Sequence, residues 1–349
     1  MITQNSFTID WINQVSKRHK ADKILVEKSI RALSLLEGLS ESSLPFVFKG
    51  GTALMLIFKK PHRLSIDFDI ILPLSNQNLT TTLQQIAARK GFSRIEEQSR
   101  KSGIVPKAHY KFFFTSVVER KESYILLDIL FEQIPYNRII ELPITNIFLA
   151  TEGEDRTVLV PDANNLLADK LTAFAPRTVG VPYRKGNSEC GMEIMKQLYD
   201  IGALFDKADD MMSISTVYRT IAGQEAIYRD KCFSVDDILH DTMDHALSIC
   251  FRKSQNNVDY QVLERGIKQV SSHIFSEPFH IEEAILSAAK TYYLVSLIKT
   301  YGITIEKFSS RQLERMRDWL FTDYDYTKLN KLKKSKPEAF FYLYLALHE

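Results

Sequence analysis

Two hydrophobic periods run along this chain, and the dominant one changes near the middle. Residues 7–38 read as helical: the apolar positions of "DKILVEKSIRALSLLEGL" form a loose helical stripe with Gly38 near its end. "LPFVFKGG" is a short apolar strand closed by a glycine turn, and "TALMLIFKK" reads as a helix opened by a hydroxyl residue. "SIDFDIIL" alternates at the period of a strand, with Ile66, Phe68 and Ile70 on one face and Asp67, Asp69 and Ile71 on the other. "TTTLQQIAARKGF" predicts another helix. "HYKFFFTSVV" and "SYILLDILFE" are rich in aromatic and β-branched residues and are separated by the charged run Glu119 to Glu122, which predicts an antiparallel pair. "NRIIELPI" and "RTVLVPD" are expected as edge strands ended by prolines.

From about Asp162 the period becomes helical. "DANNLLADKLTAFAPR" predicts a helix with a capping run at its start, "TVGVPYRKGNSECG" a loop, and "MEIMKQLYDIGALFDKA" a second helix. Almost everything after that reads helical, "TYYLVSLIKTYG" as core. The expected fold class is therefore α+β: a mixed α/β domain over residues 1–160 and an all-α domain over residues 161–349.

Composition narrows the picture a little. The 349 residues are 45% hydrophobic and 25% charged with a net charge of +2, which excludes a globally basic nucleic-acid-binding protein and leaves any basic surface local. Three cysteines (Cys190, Cys232, Cys250) lack metal-ligand spacing and fit a reduced compartment. No signal peptide and no transmembrane helix are read from the sequence, so a cytoplasmic protein with no membrane partner is expected.

The chemistry concentrates in "FVFKGGTALMLIFKKPHRLSIDFDIIL". On a strand, Asp67 and Asp69 project side by side, and two bare carboxylates that close repel unless a cation or a proton lies between them. A hard divalent cation takes such ligands together with substrate phosphates. Gly50-Gly51-Thr52 opens a helix, where backbone N–H groups and a hydroxyl suit phosphate oxygens. Asp128, the acid inside the apolar run "ILLDILF", is the candidate third carboxylate on a neighbouring strand. Taken singly, each feature has a plainer reading: a turn, a solvated strand face, a paired acid. Their order and spacing make the set specific.

That set resembles motif I of the nucleotidyltransferase superfamily, a glycine pair with Ser or Thr followed by Asp-x-Asp. More narrowly it is similar to the AbiEii/AbiGii toxin group, with Arg63, Ser65, Asp67 and Asp69 in the group's R-x-S-x-D-x-D places. Lys170, Ala173 and Arg177 in "LLADKLTAFAPR", and Lys196 and Asp200 in "KQLYDIGALF", match further motif positions. One departure is that Lys196 and Gln197 stand where the group often has Arg-Asp.

The resemblance implies a minimal nucleotidyltransferase fold whose catalytic set is Asp67, Asp69, Asp128, Lys170 and Asp200. It implies two Mg²⁺ ions, with Mn²⁺ as a substitute, on Asp67, Asp69 and Asp128. Nucleotide contacts would come from Gly50, Gly51, Thr52, Arg63, Ser65, Lys170 and Lys196, with the helical domain contributing Lys170 and Asp200. The implied activity is that of a toxin transferring a nucleoside monophosphate from an NTP to RNA, with the tRNA 3′ end as the leading acceptor, and with a cognate antitoxin as partner. Alternatives are a nucleotidyltransferase acting on a small molecule or a protein side chain, and an inactive nucleotide- or RNA-binding module. Tyr183 and Tyr199 are candidates for base stacking, and Arg184 and Lys185 for phosphate contact. Lys328, Lys331, Lys333, Lys334 and Lys336, with Arg311, Arg315 and Arg317, are candidate basic patches.

Overall fold

The computed structural model describes residues 1–58, 61–66, 68–73, 78–98, 105–252 and 258–348. The chain forms two compact units: Met1–Asp162 with Ser272–Pro278, and Ala163–Ser271 with Phe279–Glu349.

The first unit begins with helices α1 (Ile9–His19) and α2 (Lys23–Ser40). The single helical stretch read over 7–38 is thus two helices. Lys20 enters the left-handed region (φ 54°) as the C-cap of α1, and Asp22 caps α2 by accepting from the Leu25 N–H. Next come β1 (Val47–Lys49), α3 (Gly50–Ile57), β2 (Phe68–Ile71), α4 (Leu79–Arg89) and β3 (Arg94–Glu97). The long strands β4 (Lys107–Thr115) and β5 (Glu122–Leu130) follow, joined by the predicted charged turn.

These strands form a five-stranded mixed sheet in the order β1-β2-β5-β4-β3, in which β2 and β5 are parallel and the other pairs antiparallel. The central position of β2 and β5 explains their apolar runs: Phe68, Ile70, Leu127 and Ile129 are buried on one face. The expected edge strands are not part of this sheet. β6 (Ile139–Pro143) and β7 (Thr157–Pro161) pair with each other as a separate ribbon whose ends are closed by Pro143 and Pro161.

Segment Ser272–Pro278 comes from the helical half of the sequence yet belongs to the first unit. It bonds to the loop before β2: the Leu64 N–H donates to His273 O at 2.9 Å, Arg63 and Ile274 form an isolated bridge, and Ser276 Oγ donates to His62 O at 3.0 Å.

The second unit is helical. Its main helices are α5 (Ala163–Ala173), α6 (Gly191–Phe205), α7 (Met211–Tyr228), α8 (Val235–Cys250), α9 (Val258–Val270) and α10 (Ile281–Thr300). The short turns α11 (Gln312–Arg315) and α12 (Leu332–Ser335) lead to α13 (Pro337–His348). α10 packs against α6, α8 and α13, which is why the "TYYLVSLI" run is buried on nearly every side. The loop read between α5 and α6 contains a small hairpin, β8 (Arg184–Lys185) with β9 (Ser188–Glu189), turned at Gly186 with φ +59°. The helical expectation also fails over residues 302–309 and 317–326, which are irregular or turn-like.

One lysine in this unit is placed at a cost. Lys307 is half-buried, donates to Phe205 O and lies 3.9 Å from the Phe205 ring centroid. Burial pulls its ammonium down from 10.5 to about 8, with the neighbouring Lys290 acting in the same direction and Asp206 opposing it. Between those values the unfolded chain holds the proton and the folded chain has released it, so this residue's contribution to stability rises with pH across that window. Urea unfolding of the wild type and Lys307→Met at about pH 8 and about pH 10 should show the wild type gaining on the variant as pH rises. No change in the gap would remove this assignment.

Candidate active site

In the first unit the sequence motif becomes a compact geometry. Asp69 of β2 is the register partner of Asp128 on the parallel strand β5. Partners in adjacent strands project from the same face, so the two carboxylates stand side by side. On its other side β2 pairs with β1, where Lys49 lies opposite Asp69. Asp67 lies outside the described residues. Among the described residues, no group of three or more His, Cys, Asp and Glu is arranged to hold a metal ion.

The glycine pair explains itself through this register. Gly50 has φ +80°, a conformation L side chains rarely adopt, and a Cβ built on it would fall 2.2 Å from Asp69 Oδ2. A Cβ on Gly51 would lie 2.6 Å from both Arg63 Nη2 and Ser65 Oγ. The first turn of α3 therefore rests directly on the Asp69 carboxylate and on the Arg63–Ser65 segment, which only two glycines permit. Lys49, the N-cap residue, offers no side-chain bond to that turn, and Gly50, Gly51 and Thr52 are buried. The helix start thus presents backbone N–H groups and the positive end of its dipole beside two acids.

Arg63 and Ser65 are held from two sides. Arg63 is buried and its Nη1 donates to Leu64 O at 3.1 Å. The Ser65 carbonyl accepts from Ser29 Oγ of α2 at 3.2 Å, and segment Ser272–Pro278 clamps residues 62–64. The Ser65 hydroxyl is buried and has no hydrogen-bond partner among the described residues.

His109 was missed by sequence reasoning. It is the register partner of Asp128 on β4, and its Nδ1 lies 2.6 Å from Asp128 Oδ1. An ionised carboxylate only accepts, so the imidazole donates through Nδ1 and fixes the orientation of Asp128. No motif marks it: only the β4–β5 register, in which Thr115 pairs with Glu122, places His109 opposite Asp128.

The second unit brings together the other motif residues. Lys170 of α5 is buried; its Nζ is 3.1 Å from Asp200 Oδ2 of α6 and donates to Gln197 Oε1 at 3.0 Å. Gln197, which stands at one of the departing positions, is thus a direct partner of Lys170. Lys196 is also buried. The pair is almost fully desolvated, with Lys170 at 7% and Asp200 at 2% side-chain exposure.

Other candidate residues have plainer surroundings. The Tyr199 ring meets the Phe279 ring edge-on at 5.1 Å. Arg184 pairs with Glu189 across its hairpin at 3.2 Å, while Lys185 is exposed. The C-terminal lysines do not form one free face. Lys333 donates to Arg317 O and Trp319 O at 2.7 and 2.9 Å, and Lys336 pairs with Glu283 at 3.0 Å. Arg315 pairs with Glu306.

Two expectations follow. Gly50→Ala should cost about 1–2 kcal/mol from the left-handed backbone alone, displace the Asp69 carboxylate and depress catalysis more than a surface Gly→Ala; chemical unfolding and turnover measure both. Removing one partner of the buried pair, as in Lys170→Met, should cost about 3–5 kcal/mol because the Asp200 carboxylate is left buried without its cation. The double variant Lys170→Met/Asp200→Leu should recover most of that loss. An additive double variant would show that the pair is not coupled.

The family model for the nucleotidyl transferase AbiEii toxin, Type IV TA system, matches residues 34–274. No curated protein matches the chain. Among solved structures, JHP933 from Helicobacter pylori superposes with a TM-score of 0.45 at 12% identity, covering 85% of this chain and 100% of that one. An antigenic nucleotidyltransferase-like protein from Paracoccidioides brasiliensis gives a TM-score of 0.36 at 14% identity, covering 58% of this chain and 94% of that one. These likenesses stand beside the family match and carry no part of it. With residues 34–274 matched, well over half its length, this chain belongs to the AbiEii nucleotidyltransferase toxin family of Type IV toxin–antitoxin systems.

Proposed function

We propose that this nucleotidyltransferase moves a nucleoside monophosphate from an NTP to an RNA acceptor, with the tRNA 3′ end as the leading candidate, and releases pyrophosphate. The observation that carries the reading is the in-register pair Asp69 and Asp128 beside the glycine-opened start of α3. In this reading the protein works in the cytoplasm and is countered by the cognate antitoxin that its family implies.

The donor set fits a hard divalent cation: oxygen ligands only, side by side on one sheet face, next to a phosphate-binding helix start. Asp69, Asp128 and, from its place in the motif, Asp67 would hold Mg²⁺, with Mn²⁺ as a substitute. When bound, two such ions supply charge neutralisation for the phosphates and a more acidic attacking hydroxyl.

The chain's own residues do the rest. The N–H groups of Gly51 and Thr52 and the Ser65 hydroxyl donate hydrogen bonds to the β- and γ-phosphate oxygens, and Arg63 adds a fixed positive charge. Lys170 is assigned by the motif to phosphate charge, and Asp200 and Gln197 hold its ammonium in one orientation. Lys196 is assigned to the nucleotide on the same basis. The acceptor oxygen attacks the α-phosphorus, the bond from that phosphorus to the bridging oxygen breaks, and pyrophosphate leaves. Asp128, oriented by His109, takes the hydroxyl proton.

Each of the four labelled NTPs incubated with total RNA should reveal at least one that is incorporated. Asp69→Asn and Asp128→Asn should lower that incorporation at least about 100-fold and relieve growth arrest on expression. His109→Ala should lower it about 10- to 100-fold, as loss of an orienting partner does. Full incorporation by Asp69→Asn would end the reading. Labelling of protein or small-molecule acceptors in place of RNA would move it to another substrate.

A further inference from the structure

The second unit carries a cavity of about 1050 Å³, within the size range of ligand pockets or slightly above it. None of its lining residues belongs to the Gly50–Thr52, Asp69–Asp128 or Lys170–Asp200 sets.

Three polar atoms on residues of its wall are buried without a hydrogen-bond partner among the described residues: Tyr183 Oη, His245 Nε2 and Ser248 Oγ. Such groups are rare in folded proteins because each costs a desolvation penalty with no bond in return. His245 is 2% exposed, and its Nδ1 lies 2.6 Å from the Asp241 carbonyl, which can only accept. The Nδ1 hydrogen is therefore committed, and in the neutral ring Nε2 is left as an acceptor. Asp241 is itself fixed, since its Oδ2 accepts from the N–H groups of Arg177 and Thr178 at 2.9 Å. Burial pushes the Tyr183 phenol well above the ordinary tyrosine range, so its hydroxyl stays a donor. The Tyr183 and His245 rings are 5.4 Å apart. One wall thus carries a phenol donor, an imidazole nitrogen and a hydroxyl that can serve as either, with the Asp241 carboxylate 2.9 Å behind the imidazole Nδ1.

The rest of the lining supplies ring faces. Phe251 and Tyr326 lie nearly parallel, 17° apart with centroids separated by 6.4 Å. Tyr324 is 90% exposed and also lines the cavity. A tyrosine this exposed buries almost none of its ring in the fold. The charges nearby are balanced: Arg177 is paired with Asp259 at 2.6 Å and Arg252 with Glu282, while Asp244 and Asp325 add negative charge. That balance disfavours a polyphosphate. It suits a near-neutral planar heterocycle with at most one phosphate against the exposed Lys328.

We propose that this cavity receives an unpaired nucleobase, stacked on Tyr324 and bonded along its edge by Tyr183, His245 and Ser248. A free nucleotide and the end of an RNA strand present the same ring; the strand as source rests on the RNA-acceptor reading, while the site itself does not.

The test uses the full chain carrying Asp69→Asn, so that no transfer occurs, with two photoreactive probes: 5-iodouridine monophosphate and a short single-stranded RNA containing 5-iodouridine. Crosslinks are mapped by mass spectrometry and affinities taken by titration. The expected crosslinks fall in the peptides holding Phe251 or Tyr324–Lys328. Tyr324→Ala should weaken binding at least about fivefold, as loss of a stacking ring does, and its exposure means the core is untouched. Ser248→Ala should weaken it as well. Preferential capture of the strand identifies an RNA end as the source, and equal capture of the monophosphate identifies a free nucleotide; either supports the site. Crosslinks confined to other peptides, or unchanged affinity in both variants, would overturn it. If the crosslinks appear but no RNA is ever labelled by NTP, the cavity stands and the acceptor reading alone fails.

Discussion

The first unit is organised around one electrostatic constraint: two carboxylates, Asp69 and Asp128, held side by side on adjacent parallel strands. Left bare, such a pair would repel and drive one acid to take a proton. The surrounding elements answer this repulsion. β1 sets Lys49 opposite Asp69, β4 sets His109 opposite Asp128, and α3 brings its N-terminal turn onto Asp69 through a glycine that tolerates φ +80°. The parallel relation of β2 and β5 matters because it lets two chain segments far apart in sequence bring acids to one level of the sheet. A shift of one residue in that register would send one carboxylate to the opposite face.

The buried pair in the second unit follows a different logic. Desolvating both charges of a buried pair such as Lys170–Asp200 offsets much of their attraction, so it is weak evidence for stability. Their retention fits a role in which the ammonium must sit in one place. Gln197 strengthens that reading: an amide oxygen takes part of the ammonium's hydrogen bonding without adding a second negative charge.

Much of this was legible in the sequence, for physical reasons. The period-2 run "SIDFDIIL" fixed β2, the aromatic runs fixed β4 and β5, and the helical period fixed α5, α6 and α10. Four things were not legible. The break between α1 and α2 depends on Lys20 adopting a left-handed conformation that a lysine does not announce. The β6–β7 ribbon has the same local pattern as an edge strand, and only tertiary pairing distinguishes the two. His109 has no motif of its own and gains meaning solely from cross-strand register. The C-terminal lysines looked like one basic face because composition does not say which side chains turn back to bond carbonyls and acids, as Lys333 and Lys336 do.

The strap Ser272–Pro278 shows how the helical half of the sequence becomes part of the catalytic unit. Its bonds to His62 and Leu64 flank Arg63, the residue a Gly51 side chain would strike, so a segment more than 200 positions downstream helps to shape the Gly50–Thr52 turn. A chain cut after Asp162 would keep Asp69 and Asp128 yet lose this clamp. The family match, which ends at residue 274, runs through α9 and into the same strap. The first unit is therefore not the α/β stretch alone, but that stretch together with the returning segment that bonds to its motif loop.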